Sequence, residues 1–261
     1  MGDNAAVRRP EEFASALARR FGLQVSRISS SSSRLPIEAT DEDARLIASL
    51  SGYTMTSPER LWCLIEAVRA IEATGISGDF VECGVWRGGS VMAMAQQLVA
   101  LGVTDRRVWL YDTFAGMTDP TEKDIDHAGQ SAAELMRTTQ VGDGDNVWAY
   151  ASRPDVEANL ALTRYPMEQF TLVEGDVAET LAEQAPAQVA LLRLDTDWYA
   201  STYACLEVLY PRLMPGGICI LDDYGHWDGA RSAVDEYFIA HPPRPFFQPI
   251  DFSGRVLVKS R

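Results

Sequence analysis

Short apolar runs stopped by carboxylates recur along this chain, and helix-periodic stretches lie between them. Gly78 to Cys83, Val108 to Asp112, Phe170 to Glu174, Val189 to Asp195 and Ile218 to Leu221 read as strands. Thr56-Ser57-Pro58-Glu59 reads as a helix start: Pro58 suits the first turn, and Thr56 with Glu59 has capping-box spacing. Leu61, Leu64, Ile65, Val68 and Ile71 follow at helical spacing, and Gly75 ends that helix. Further helices are predicted from about Gly89 to Leu101, from Gly229 to Ala240, and from Thr202 to Leu213, where Pro215-Gly216-Gly217 stops the last. Strands alternating with helices predict an α/β fold with a mainly parallel sheet. Pro245–Ile250 and Arg255–Lys259 flank Ser253-Gly254, a hairpin signal that adds an antiparallel edge.

The pattern is weaker at the start and in one long interval. Residues 1–52 are set apart as an N-terminal helical or flexible segment. Phe13, Leu17 and Phe21 fit one amphipathic helix, Ser29 to Ser33 reads as a connector, and a short helix is expected over 41–50. Residues 53–261 form the main domain. Between the second and third strands about fifty residues intervene, far more than an ordinary connection. This interval, 116–168, is read as a lid or substrate-binding insertion with helices near Ser131–Thr139 and Asp155–Tyr165.

The chemistry gathers where strands end, because ligands of open α/β sheets bind outside the carboxyl ends of the strands. Leu191-Leu192-Arg193-Leu194 stops at Asp195-Thr196-Asp197, and Ile218-Cys219-Ile220-Leu221 stops at Asp222-Asp223. Like charges so close raise one another's pKa, and a divalent cation relieves the cost. Asp195, Asp222 and Asp223 are therefore the expected metal ligands, with Mg²⁺ the expected ion. Asp195 is the first candidate for the base that takes a hydroxyl proton, with Asp197 and His226 as alternates. An N-cap pair ahead of the last helix would also use Asp222 and Asp223, but it leaves Asp195 unexplained. Upstream, Val81-Glu82-Cys83-Gly84-Val85-Trp86-Arg87-Gly88-Gly89-Ser90 joins a strand to a helix. Its glycines let the backbone turn sharply and approach a ligand; a plain β–α turn would use them too. Asp112 stands where a carboxylate can bond ribose hydroxyls, and Asp176 where one can accept from an adenine amino group or cap a helix.

Composition narrows the partners. A net charge of −14 disfavours nucleic acid and anionic membranes, and it suits a cationic ligand such as the sulfonium of S-adenosylmethionine. Cys63, Cys83, Cys205 and Cys219 have no CxxC spacing and read as structural thiols in a reducing compartment. No apolar run is long enough for a membrane span, and a cytoplasmic protein is expected. The missing GxGxxG and Tyr-x-x-x-Lys patterns disfavour a nucleotide-sugar oxidoreductase.

The loop pattern E-x-G-x-x-x-G resembles motif I of class I methyltransferases, which cradles the methionine part of S-adenosylmethionine. Longer strings carry a closer resemblance. Tyr53-Thr54-Met55, Gly84-Val85-Trp86-Arg87-Gly88-Gly89, Asp112-Thr113-Phe114-Ala115-Gly116-Met117, Leu194 to Thr202, and Pro215-Gly216-Gly217 to Asp222-Asp223-Tyr224 are similar to the macrocin O-methyltransferase (TylF-like) family of sugar O-methyltransferases. The resemblance covers roughly 50–240. It implies a class I methyltransferase fold with a Rossmann-like, seven-stranded sheet and helices on both faces. It also implies S-adenosylmethionine as donor, bound around Glu82, Gly84, Val85, Trp86, Arg87, Gly88, Ser90, Asp112 and Asp176. Mg²⁺, a sugar hydroxyl of a glycosylated natural product as acceptor, and a homodimer or larger assembly are implied with it. The alternative acceptor is a catechol-like or other vicinal diol; Trp198 and Tyr199 after the first acidic pair favour a sugar.

Overall fold

Each parallel strand alternates its side chains between two apolar layers, and those layers fix the architecture. The computed structural model describes residues 35–139 and 148–260. The expected helix around Phe13, Leu17 and Phe21 and the Ser29–Ser33 tract lie outside the described residues, as does the 140–147 part of the insertion. The strands are β1 (Asp79–Cys83), β2 (Val108–Asp112), β3 (Phe170–Glu174), β4 (Val189–Leu194), β5 (Leu213–Leu221), β6 (Gln248–Pro249) and β7 (Arg255–Val258). They form one seven-stranded sheet in the order β3-β2-β1-β4-β5-β7-β6. β1 to β5 pair in parallel, and β7 runs antiparallel to both β5 and β6. The mainly parallel sheet with an antiparallel terminal hairpin is thus the arrangement the sequence predicts.

The helices are α1 (Asp41–Ser49), α2 (Pro58–Thr74), α3 (Gly89–Ala100), α4 (Ala132–Thr138), α5 (Arg153–Ala161), α6 (Val177–Glu183), α7 (Tyr199–Leu209) and α8 (Asp228–Ala240). Phe80, Leu110, Leu191 and Ile220 pack with Leu64, Ile65 and Val68 of α2 and Met94 and Leu98 of α3. Their sequence neighbours Val81, Tyr111, Leu192 and Cys219 face the other way, onto Leu181 of α6, Leu206 and Leu209 of α7, and Val234 and Phe238 of α8. Each such fully buried side chain stabilises the fold by about 1.5–3 kcal/mol. The parity continues past the apolar rows. On the α2 face, Phe80 is followed by Glu82, Leu191 by Arg193, and Ile220 by Asp222. The end of the sheet therefore turns charged where the site lies.

Three local readings change. The N-cap of α2 is Ser57, whose hydroxyl accepts from the Arg60 N–H, and not Thr56. Helix α7 stops at Leu209 in a single 3₁₀ turn, Tyr210–Arg212. Pro215-Gly216-Gly217 lies inside β5, where the pairing with β4 shifts register between Val189 and Leu191. A bulge is a place where a strand tolerates proline. Residues 35–52, set by sequence with the N-terminal segment, belong to the compact unit that starts at Leu35. There a Thr40–Asp43 capping box opens α1, Ile47 and Leu50 join the core, and buried Asp43 pairs with Arg69 at 2.5 Å. Cys83, Cys205 and Cys219 are buried, Cys63 is half-buried, and all four are free thiols. Among the described residues no helix is long and apolar enough to cross a membrane.

Candidate active site

The parallel ladder carries on beyond the strand ends and draws the loops together. Gly84 N–H donates to the Tyr111 carbonyl, Asp195 N–H to Cys83, Asp222 N–H to Leu194, and Gly175 N–H to Asp112. The Gly84 loop and the Asp195 loop touch so closely that a Cβ at Gly84 would lie 1.9 Å from the Asp195 carbonyl oxygen; Gly84 also holds φ +80. No other residue fits there. Non-glycine residues take positive φ at the ends of three neighbouring strands: Trp86 at 47°, Phe114 at 49° and Asp197 at 53°. Such conformations cost of order 1–3 kcal/mol and concentrate at functional sites.

Two adjoining cavities result. The larger, about 570 Å³, is lined by Val85, Trp86, Ser90, Asp195, Asp197, Asp222, Asp223 and His226, with Thr54, Met55, Thr56 and Arg60 along one wall. Leu135, Thr139 and Ala149 bring the insertion to the same cavity. The smaller, about 70 Å³, runs from Gly84 and Asp112 to Gly175, Asp176, Thr196 and Ser201, with Met117 and Thr118 beside it. Both share Gly84, Asp112, Gly116, Met117 and Asp195.

The donor-side candidates divide. Gly84, Val85, Trp86, Ser90, Asp112 and Asp176 line the cavities. Asp112 spends most of its acceptor capacity on the backbone: Oδ2 accepts from Val85 N–H at 2.7 Å and Trp86 N–H at 3.0 Å, and Oδ1 from Phe114 N–H at 2.8 Å. Of roughly four lone-pair sites on a carboxylate, one is left for a ligand. Burial raises its pKa, against those three hydrogen bonds. Asp176 caps α6 through the Ala178 N–H while its side lines the small cavity. Glu82, Arg87 and Gly88 line neither cavity. Arg87 turns outward to the Gly52 carbonyl at 2.6 Å and lies over the Tyr53 ring. Gly88, at φ +87, is the left-handed N-cap of α3. Glu82 is fully buried against Arg193 at 2.6 Å, its Oε2 has no partner among the described residues, and burial pushes its pKa up to about 8.

The acidic cluster is sorted by Arg193, which lies in the middle of the apolar β4 run and is 1% exposed. Its guanidinium reaches Glu82, Asp195 at 2.8 Å and Asp222 at 2.5 Å. Asp222 also takes Arg60 and the Thr56 hydroxyl, so both its oxygens are engaged. The carboxylates whose oxygens converge, all within 4.8 Å of one another, are Asp195, Asp197 and Asp223. The structure thus brings Asp195, Asp197 and Asp223 together, while Asp222, which the sequence reading places among the ligands, is bonded to Arg193 and Arg60. Parity explains this. Both aspartates line the cavity, but Asp222 continues the face of Ile218 and Ile220 toward Arg193 and Arg60, and Asp223, of opposite parity, joins Asp195 and Asp197.

The electrostatics follow from the burial. For Asp195, burial works upward, but Arg193, a hydrogen bond with Asp223 and the Arg60 charge outweigh it and hold the pKa below the usual range. Burial and the Asp195 charge push Asp197 up to about 7. Burial with Asp197, Asp195 and Asp222 as neighbours drives Asp223 well above the carboxylate range, and its Oδ2 has no partner among the described residues. His226 is half-buried at the cavity wall, 5.0 Å from the His127 ring, and burial with that neighbour lowers its pKa. His241 is exposed and stacks on Tyr237.

Comparison with known proteins decides what carries this geometry. Residues 12–256 match the model of the macrocin-O-methyltransferase (TylF) family. The chain belongs to that family. The match is wider than the 50–240 expected from motifs, and it takes in residues 12–50. The chain is an O-methyltransferase. It is 36% identical over 200 residues to the 8-demethyl-8-(2,3-dimethoxy-alpha-L-rhamnosyl)-tetracenomycin-C 4'-O-methyltransferase of Streptomyces olivaceus, covering 76% of this chain and 73% of that one. It is 33% identical to the mycinamicin III 3''-O-methyltransferase of Micromonospora griseorubida, covering 77% and 76%. Among solved structures, the O-methyltransferase NovP matches with a TM-score of 0.70 and 32% identity over 80% of this chain and 83% of that one. The calicheamicin methyltransferase CalS11, at 20% identity, shares the fold with a TM-score of 0.55 over 85% and 94%.

Proposed function

We propose that this chain transfers a methyl group from S-adenosylmethionine to a sugar hydroxyl of a glycosylated natural product, with Mg²⁺ bound at the acidic cluster. One observation carries the reading: the carboxylate trio Asp195, Asp197 and Asp223 shares its cavity with the glycine loop of β1. The relatives' sugar and glycoside substrates support the acceptor class. The unpartnered Oδ2 of Asp223 and the oxygen-only donor set fit a hard divalent cation. Asp195, Asp197 and Asp223 would hold it; Asp222 would join only by giving up an arginine. When bound, the ion would acidify and orient the acceptor hydroxyl.

The chain's own residues supply the rest. The Gly84–Ser90 loop and Asp112 hold the donor, and the adenine end fits the small cavity by Gly175 and Asp176. Thr54, Met55 and Leu135 give the large cavity an apolar and hydroxyl-bearing wall for the acceptor. Asp195, Asp197 and His226 all line this cavity and are the groups placed to take the hydroxyl proton. Transfer is an in-line displacement at carbon, so alignment of hydroxyl and methyl carries much of the rate.

Turnover with a demethylated glycoside and labelled S-adenosylmethionine tests this. EDTA should inhibit, Mg²⁺ should restore, and Asp195→Asn should lose turnover while S-adenosylhomocysteine binding is retained. Full activity in metal-free protein would refute the cation reading.

A further inference from the structure

Asp124 lies in the first part of the insertion, well outside the acidic cluster, yet its carboxylate is wholly buried. Oδ2 accepts from the Thr121 N–H at 2.7 Å and the Thr121 hydroxyl at 2.8 Å. Oδ1 accepts from the Tyr199 N–H at 2.8 Å. Tyr199 is the first residue of α7, whose own N-cap, Trp198, offers no side-chain cap. Asp124 is therefore a helix cap supplied from a distant segment, with its negative charge at the positive end of the helix.

The same oxygen abuts a second helix. A Cβ at Gly229, in the first turn of α8, would lie 2.0 Å from Asp124 Oδ1. Helix α8 also has no side-chain cap, its N-cap being Trp227. The backbone reinforces the junction: Asp228 N–H donates to Ile125 at 2.8 Å, and Trp198 Nε1–H to Thr118 at 3.0 Å. Trp198 and Trp227 meet edge to face at 4.9 Å. Asp195 and Asp197 immediately precede α7, and Asp223 precedes α8. One buried carboxylate thus bonds the start of α7 and packs against the start of α8, the two helices whose leading loops bear the cluster.

We infer that Asp124 is a positioning residue, whose bridge between α7 and α8 sets the spacing of Asp195 and Asp197 against Asp223. This rests on the function proposed above for that cluster. Groups bonded directly to metal ligands act on affinity or activity by about 10–100-fold, and Asp124, which acts through the helix starts, belongs at the low end of that range.

The test compares Asp124→Asn and Gly229→Ala with Asp43→Asn, a buried acid paired with Arg69 on α1. Mn²⁺ affinity, S-adenosylhomocysteine affinity and the kcat and KM of methyl transfer are measured on the full chain. Asp124→Asn and Gly229→Ala, which disturb one junction from opposite sides, should each lower Mn²⁺ affinity and kcat by about tenfold, with S-adenosylhomocysteine affinity within about twofold. Asp43→Asn should leave all these unchanged. Wild-type Mn²⁺ affinity and kcat in either junction variant would overturn the inference, as would equal loss of nucleoside and cation binding. If Asp124→Asn does not fold, Thr121→Val, which removes one hydroxyl, carries the same expectation at about threefold. If the wild-type chain binds no Mn²⁺, the cation reading fails by itself, and the kcat comparison decides the role of Asp124.

Discussion

At the scale of single residues, the site is an arrangement of charges held by Arg193. Removing one member of a buried ionic cluster leaves the others uncompensated, typically at about 3–5 kcal/mol. Arg193→Met should therefore destabilise by about that amount in chemical denaturation, because Asp195 and Asp222 lose their shared cation. A cost under about 1 kcal/mol would mean that Arg60 alone can neutralise Asp222. The carboxylates were legible in the sequence because each apolar run stops on them. Which of two adjacent aspartates is taken up by arginines does not follow from their identity. It depends on strand parity and on a guanidinium in the neighbouring residues. The signal was there in Leu191-Leu192-Arg193-Leu194, where an arginine interrupts an apolar strand.

At the scale of elements, positions of strands and helices followed from periodicity, while ends followed from competition between neighbours. Thr56 and Ser57 can both cap a helix. Ser57 takes that place, bonding Arg60 N–H at 3.1 Å and Asp251 at 2.6 Å, and Thr56 is left to Asp222. Ser57→Ala should cost about 1–2 kcal/mol of stability, whereas Thr56→Val should alter the cavity and leave α2 intact. Thermal unfolding of the pair checks this, and equal losses would return the cap to both residues. Pro215 was misread for a similar reason, since a proline marks a helix stop and a strand bulge alike. The insertion was legible only as an excess of length. Its tie to α7 and α8 through Asp124 involves contacts between segments far apart in sequence, which no local pattern encodes.

At the scale of the whole molecule, buried carboxylates make stability depend on pH. Glu82, pushed up to about 8, and Asp197, pushed up to about 7, retain protons in the folded chain that the unfolded chain releases. Their stabilisation is complete below about pH 4.5 and drains away as pH rises through their folded values. Asp43, Asp195 and Asp251 are lowered and act oppositely, losing their contribution only as pH falls below about 4. The cation-free protein should therefore melt at lower temperature at about pH 8.5 than at about pH 5.5, and Glu82→Gln should flatten the slope. A flat or rising profile in the wild type would contradict this charge assignment. The net charge of −14 opposes polyanionic partners on the same scale.

Calorimetric titration shows whether nucleoside, cation and glycoside meet in one cavity. S-adenosylhomocysteine is titrated into metal-free protein, then Mg²⁺, then a candidate glycoside, in the wild type, Asp197→Asn and Asp222→Asn. Nucleoside binding should be micromolar in all three, glycoside binding should require Mg²⁺, and Asp197→Asn should lose more Mg²⁺ affinity than Asp222→Asn. Glycoside binding that is indifferent to Mg²⁺, or no nucleoside binding to the wild type, would contradict the shared cavity.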